Sequence, residues 1–168
     1  MKITGKTWKY GDNVDTDVII PGRYCHITDV NELAKHCLED LDGAFAKSVQ
    51  KGDVLVAGSN FGCGSSRELA PITLKAAGVS AVIAENFARI FFRNSINIGL
   101  PIFESPDAAR DIAAGQSVEI DVEKGSIKNL NSGKTYKSTA LPAEMQAIIA
   151  DGGLMKHIEK TLAKPASK

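Results

Sequence analysis

The sequence predicts one α/β domain built on a mixed sheet. Three observations carry that prediction. The middle of the chain alternates short apolar runs with helix-like segments, the pattern of parallel strands joined by crossover helices. Near residues 117–130, two strand-like segments flank the turn Glu123-Lys124-Gly125, the pattern of a hairpin. The length, 168 residues, suits one domain able to bury its own core.

Taken in order, residues 3–10 read as a strand and residues 11–17 as a polar loop. A short apolar run, 18–20, is closed by Pro21 and Gly22. Asp29 starts a helix, and Glu32 three residues later completes a capping box. Leu33, Cys37, Leu38, Leu41 and Phe45 then follow at helical spacing as one apolar face. Residues 53–57 form a buried strand, and a glycine-rich loop, 58–66, leads into a helix that ends at Gly78. Residues 79–84 are strand-like, 87–97 helical, and 100–103 the next strand. Pro106 opens a short helix that closes before Gly115. After the hairpin, residues 142–150 and 154–162 form helices around Gly152-Gly153.

Composition narrows the function classes. The chain is 43% apolar and 24% charged, as in a globular protein, with 20 acids balancing 20 bases. That balance argues against nucleic acid or an anionic membrane as partner. No apolar run approaches the roughly 20 residues a membrane span needs. Residues 1–10 lack the apolar core of a signal peptide. Three cysteines, an odd number, do not make a disulfide scaffold, so the expected location is cytoplasmic.

The informative stretch is Gly58-Ser59-Asn60-Phe61-Gly62-Cys63-Gly64-Ser65-Ser66-Arg67-Glu68, between a strand and a helix. It is not a P-loop, because no Gly-Lys-Ser/Thr closes it, and not a dinucleotide fingerprint, because Arg67 stands where the third glycine would be. One reading makes Ser65 and Glu68 a capping box, with Gly62 and Gly64 supplying turns. Pro71 strains it, since it would be the sixth helical residue after a cap at Ser65. Arg67 strains it too, as a cation at the positive end of a helix. The second reading starts the helix later and makes the loop a carboxylate or phosphate site of N–H groups, hydroxyls and a guanidinium. The chemistry favours the second.

Gly-x-Gly-Ser-Ser-Arg-Glu resembles a hallmark of the aconitase superfamily's swivelling domain. The run Asp12-Asn13-Val14-Asp15-Thr16-Asp17-Val18-Ile19-Ile20-Pro21 is similar to a second signature, and residues 86–101 to a third. The resemblance covers essentially the whole chain, and the length is that of the separate small subunits of 3-isopropylmalate dehydratase and its relatives. It implies a single swivelling three-layer β/β/α domain over residues 1–163, with a frayed tail at 164–168. It further implies a hydro-lyase half-enzyme that isomerises a hydroxy-polycarboxylate, with a 4Fe-4S cluster on the partner large subunit and no cofactor of its own. Ser65 falls on the catalytic serine base. Arg67 and Ser66 fall on substrate-carboxylate groups, and Thr16 and Asp17 on a pair lining the same pocket. Tyr24, Cys25, His26, Ile27 and Thr28 correspond to the specificity loop. Isopropylmalate-type enzymes tend to have an apolar loop there, and homoaconitase-type relatives an arginine. His26 stands where the arginine is expected, and Ile27 is apolar, which favours isopropylmalate ahead of dimethylmalate or homocitrate.

The remaining candidates carry less. No Cys-x-x-Cys spacing exists, so the chain offers no cluster ligands, and Cys25 with His26 lacks further ligands for zinc. Cys37 reads as core, Cys63 as loop packing, and His36 and His157 as surface or half-buried. Arg89 and Arg93 share one helical face, suited to structural or interface use more than to catalysis. Two other classes compete: a serine hydrolase on Ser65, which needs a nearby histidine, and a non-catalytic carboxylate-binding module.

Overall fold

The computed structural model describes residues 1–163; the expected frayed tail at 164–168 lies outside the described residues. The chain opens with β1 (Lys2–Lys9) and three short helices, α1 (Thr16–Ile19), α2 (Val30–Ala34) and α3 (Phe45–Ser48). The alternating middle follows: β2 (Val54–Ala57), α4 (Leu69–Ala77), β3 (Ala81–Ala84), α5 (Arg89–Ile98), β4 (Ile102–Glu104) and α6 (Pro106–Asp111). Strands β5 (Ser117–Asp121), β6 (Ser126–Asn129) and β7 (Thr135–Lys137) come next, then helices α7 (Ala143–Ala150) and α8 (Leu154–Leu162). The seven strands lie in the order β4-β3-β2-β1-β5-β6-β7.

Strand β1 joins two kinds of sheet. Its second half, residues 7–9, pairs parallel with residues 54–56 of β2. Its first half, residues 2–6, pairs antiparallel with β5. Beyond β2 the pairing stays parallel, and beyond β5 antiparallel, which is the expected mixed sheet. The sheet curls, so the parallel strands are covered on both faces. Leu55, Ala57, Val82 and Ala84 face a core that includes Leu74 of α4 and Phe91 of α5. Val54, Val56, Ala81 and Ile83 face Val118, Ile120, Ile127 and Tyr136 of the antiparallel half. Those two cores separate three layers, β/β/α. Continuous apolar runs such as Val-Leu-Val-Ala suit strands buried on both sides.

Two expectations need correction, and the later start of the helix after the glycine-rich loop is met. The apolar face running from Leu33 to Phe45 is not one helix. Asp29 caps α2 through the N–H groups of Asn31 and Glu32, but Glu32 turns to Lys35 and the helix ends at Ala34. Leu38 then adopts φ +56°, and its N–H donates to the Ile19 carbonyl at 2.9 Å. That tertiary bond replaces the next helical turn and leaves Leu41 47% exposed. The helix after the glycine-rich loop starts at Leu69, placing Pro71 as its third residue, where no helical N–H is lost. Finally, β7 has no counterpart in the expected elements, because it is three residues long with only Tyr136 buried.

Candidate active site

The site lies beyond the carboxyl ends of β1 and β2, where ligands of parallel sheets usually bind. Two loops, residues 10–15 and 58–66, run side by side and are stitched together. Gly58 donates to the Gly11 carbonyl, Asn13 to Ser59, and Gly62 to Val14, at 2.7–3.0 Å. The Asp12 carboxylate accepts from the Ser59 N–H at 2.8 Å, and the Asn60 side chain donates to Asn13 at 3.0 Å. Gly62 has no substitute here: its φ is +77°, and a Cβ would lie 2.1 Å from the Phe91 ring.

This stitching presents Ser65 to Thr16. The Thr16 hydroxyl lies 3.0 Å from the Ser65 carbonyl and 3.2 Å from the Ser65 hydroxyl. Thr16 has one proton to give. Spent on the carbonyl, it leaves Thr16 Oγ1 as acceptor for the Ser65 O–H. Thr16 is 1% exposed, so it is fixed, whereas Ser65 faces outward. The cap of α4 is Glu68, which makes no side-chain capping bond, so Ser65 is not a helix cap.

Arg67 is locked as firmly. Its Nη1 donates to the Asp17 carboxylate and, at 3.0 Å, to the Ile20 carbonyl. The same Asp17 oxygen accepts the Gly22 N–H at 3.0 Å. The Arg67 bond and the Gly22 N–H hold the Asp17 carboxyl below the usual carboxylate range, and Asp17 in turn raises Arg67. Both interactions use one edge of the guanidinium. Among the described residues Nε and Nη2 make no hydrogen bond, which leaves a fork for an incoming carboxylate. Ser66 is exposed beside them.

Residues 24–28 begin next to this lock, since Gly22 passes close to Arg67 Nη2. Cys25, His26 and Thr28 are exposed, and Ile27 packs on the helical core. Tyr24 is an anchor. Its hydroxyl donates to Glu39, and its ring stacks on His36 with centroids 3.8 Å apart. Glu39 also accepts from Arg23 at 2.9 Å and pairs with His36 at 2.7 Å. The Tyr24 and His36 bonds pull the Glu39 carboxyl down to about 2. Glu39 carries no mark in the sequence, since nothing in the spacing from residue 24 to 36 and 39 singles it out.

On its other side Ser65 walls a groove of about 800 Å³ that contains Gly62 and Gly64 as well as Arg89 and Arg93. Thr16, Asp17, Arg67 and the 24–28 segment lie outside it. Among the described residues Ser65 Oγ has Thr16 as its side-chain partner and no histidine: His36 binds Glu39, His157 binds Asp151 at 2.7 Å, and His26 is exposed with no hydrogen bond to Ser65. Cys37 is buried in the core, which pushes its thiol up, and burial also raises Cys63. Among the described residues no three His, Cys, Asp or Glu side chains converge to hold a metal ion.

A three-layer β/β/α domain with these two stitched loops defines a swivelling domain of aconitase type. The aconitase C-terminal domain family matches residues 6–106. The 3-isopropylmalate dehydratase small subunit of Ruminiclostridium cellulolyticum is 60% identical over 97% of this chain and 100% of its own length. That of Aquifex aeolicus is 57% identical over 97% and 98%. The crystal structure of 3-isopropylmalate dehydratase from Methanocaldococcus jannaschii superposes with a TM-score of 0.91 at 48% identity, covering 96% of each chain. The chain belongs to the aconitase C-terminal domain family, in its branch of 3-isopropylmalate dehydratase small subunits.

Proposed function

We propose that the chain is the small subunit of a two-subunit hydro-lyase that converts 2-isopropylmalate to 3-isopropylmalate in leucine biosynthesis. The observation that carries this reading is the pairing of Ser65 with Thr16 and of Arg67 with Asp17, on two loops stitched into one rim. Ser65 is the base. It takes a proton from the carbon beside the hydroxyl-bearing carbon as the C–O bond breaks, and a proton from outside this chain turns the departing hydroxide into water. On rehydration the hydroxyl adds to the carbon that lost its proton, and Ser65 returns its proton to the other carbon. An alkoxide needs stabilisation, and Thr16 is fixed within reach to turn its proton from the Ser65 carbonyl to Ser65 Oγ. Arg67 grips a substrate carboxylate through Nε and Nη2, while Asp17 holds the opposite edge in register. Ser66 adds a hydroxyl to the same carboxylate. Residues 24–28, anchored by Tyr24, face the substituent that distinguishes substrates.

Among the described residues no three His, Cys, Asp or Glu side chains converge. In this reading a 4Fe-4S cluster belongs to the large subunit, where it would supply Lewis-acid pull on the departing hydroxyl. No helix among the described residues is long and apolar enough to cross a membrane. We place the enzyme in the cytoplasm on the ground of its three free cysteines, which suit a reducing compartment.

The test is anaerobic assay of the chain with its large subunit on isopropylmalate, 2,3-dimethylmalate and homocitrate. Isopropylmalate should give the highest kcat/KM, and the chain alone should give none. His26→Arg should move preference toward homocitrate, since a fixed cation matches a third carboxylate. A wild-type preference for homocitrate over both alkylmalates rejects the substrate, and an unmoved ratio in His26→Arg rejects residues 24–28 as the selector.

A further inference from the structure

The chain has five arginines. Arg23 pairs with Glu39 and Asp40, Arg67 with Asp17, and Arg110 with Glu85. Arg89 and Arg93 are exposed, and among the described residues neither has a carboxylate within 4.0 Å. Their position makes the omission costly. Arg89 is the first residue of α5, and Arg93 stands one turn later on the same face. The first turn of α5 holds no acid, and its cap, Ala88, makes no side-chain bond. Arg89 therefore stands at the positive end of a helix with a second cation one turn on and, among the described residues, no acid to offset either.

Both arginines line the groove walled by Ser65. The rest of that groove is largely apolar, with Phe92, Ile96, Met145 and Ile148. Ile90, between the arginines in sequence, is 43% exposed. A groove of about 800 Å³ is far larger than one small diacid fills; such volumes suit drug-sized ligands or inserted side chains. An apolar floor under two unpaired cations fits a protein segment carrying carboxylates about a helical turn apart beside an apolar side chain. It adjoins Ser65, whose outward hydroxyl must be shut away from water for an alkoxide to form.

We propose that the α5–α7 groove docks the large subunit, with Arg89 and Arg93 taking carboxylates of a mixed acidic and apolar segment. This rests on the two-subunit reading above. It makes the docking surface continuous with the serine, so association and enclosure of Ser65 are one event.

The experiment titrates a fixed amount of large subunit with the chain, following isopropylmalate turnover and direct binding in parallel. Arg89→Glu with Arg93→Glu should raise the half-saturating chain concentration about tenfold or more, as charge reversal at an interface does. At saturation kcat and the KM for isopropylmalate should return to the wild-type values. Arg89→Lys with Arg93→Lys keeps both charges and should lose much less. Circular dichroism confirms that each variant folds. An unchanged half-saturation point overturns the inference. A raised KM with unchanged subunit affinity overturns it too, and assigns the arginines to substrate. If the wild-type chain and large subunit neither associate nor turn over isopropylmalate, the two-subunit reading falls and takes this inference with it.

Discussion

Strands β2 and β3 bury every residue, whereas β5, β6 and β7 alternate buried and open positions. The parallel half is squeezed between helices and the antiparallel half, so no residue of β2 or β3 is free to meet a ligand. The proposed site residues stand instead at the carboxyl ends, Ser65 and Arg67 on a loop and Thr16 and Asp17 at the start of α1. The antiparallel half has a wet face and carries none of these residues. It serves as the second wall of a core. One half of the molecule is therefore tuned for position, the other for burial, and substitutions in the two halves should fail in different ways.

The sharpest contrast is between Ser65→Ala and Ile120→Ala. If Ser65 is the base as proposed, its loss should lower kcat of the reconstituted complex by roughly 10²–10⁴ while thermal stability stays as it was. Ile120 is fully buried in β5, and its truncation should cost about 2–5 kcal/mol of stability with kcat per folded complex unchanged. Melting curves and single-substrate kinetics on both variants decide it. Near-normal turnover in Ser65→Ala would remove Ser65 from the role of base.

A second contrast compares two glycines of similar backbone. Gly62 has φ +77° and Gly133 φ +75°. Alanine at Gly133 meets nothing within 4 Å, so it should cost only the backbone strain, about 1 kcal/mol. Alanine at Gly62 meets the Phe91 ring as well and should cost more than about 3 kcal/mol. Denaturant midpoints read both. Equal losses would mean that the loop stitching yields to Phe91 and does not fix Ser65.

What could be read in the sequence follows the same division. Continuous apolar runs announced β2 and β3, and the Glu123-Lys124-Gly125 turn announced the hairpin, because both signals are local. Pro71 correctly delayed the start of α4, since its constraint acts on its own backbone. Ser65, Arg67, Thr16 and Asp17 were all marked by motif and resemblance, but which of them pairs with which was not. Thr16 and Asp17 lie 49 and 50 residues away, and only the fold brings them together. The helix after Asp29 failed for the reverse reason. Its apolar spacing was real, and Leu33, Cys37, Leu38 and Phe45 are all buried, yet the Ile19 carbonyl took the Leu38 N–H and broke the run. Glu39 gave no signal, because its donors come from two separate segments.

The smallest expected effect concerns acid stability, and it compares Glu39 with Glu123. Glu39 accepts from Tyr24 and Arg23 and pairs with His36, and its carboxyl is held at about 2 against an ordinary 4.5. A carboxyl depressed in the folded state is more acidic there than in the unfolded chain. Its contribution is complete above the ordinary value and disappears as pH falls toward the folded one. Glu123, in the antiparallel half, pairs with the terminal amine of Met1 at 2.8 Å and is 75% exposed, so its pair contributes little. Stability should be measured for wild type, Glu39→Gln and Glu123→Gln between pH 7 and pH 2. The wild-type advantage over Glu39→Gln should be constant above about pH 5 and should shrink from about 4.5 downward. Glu123→Gln should track wild type throughout. An advantage over Glu39→Gln that persists unchanged to pH 2 would show that the loss in the amide variant does not come from charge. The Tyr24 anchor would then be held by shape and stacking on His36, without help from charge.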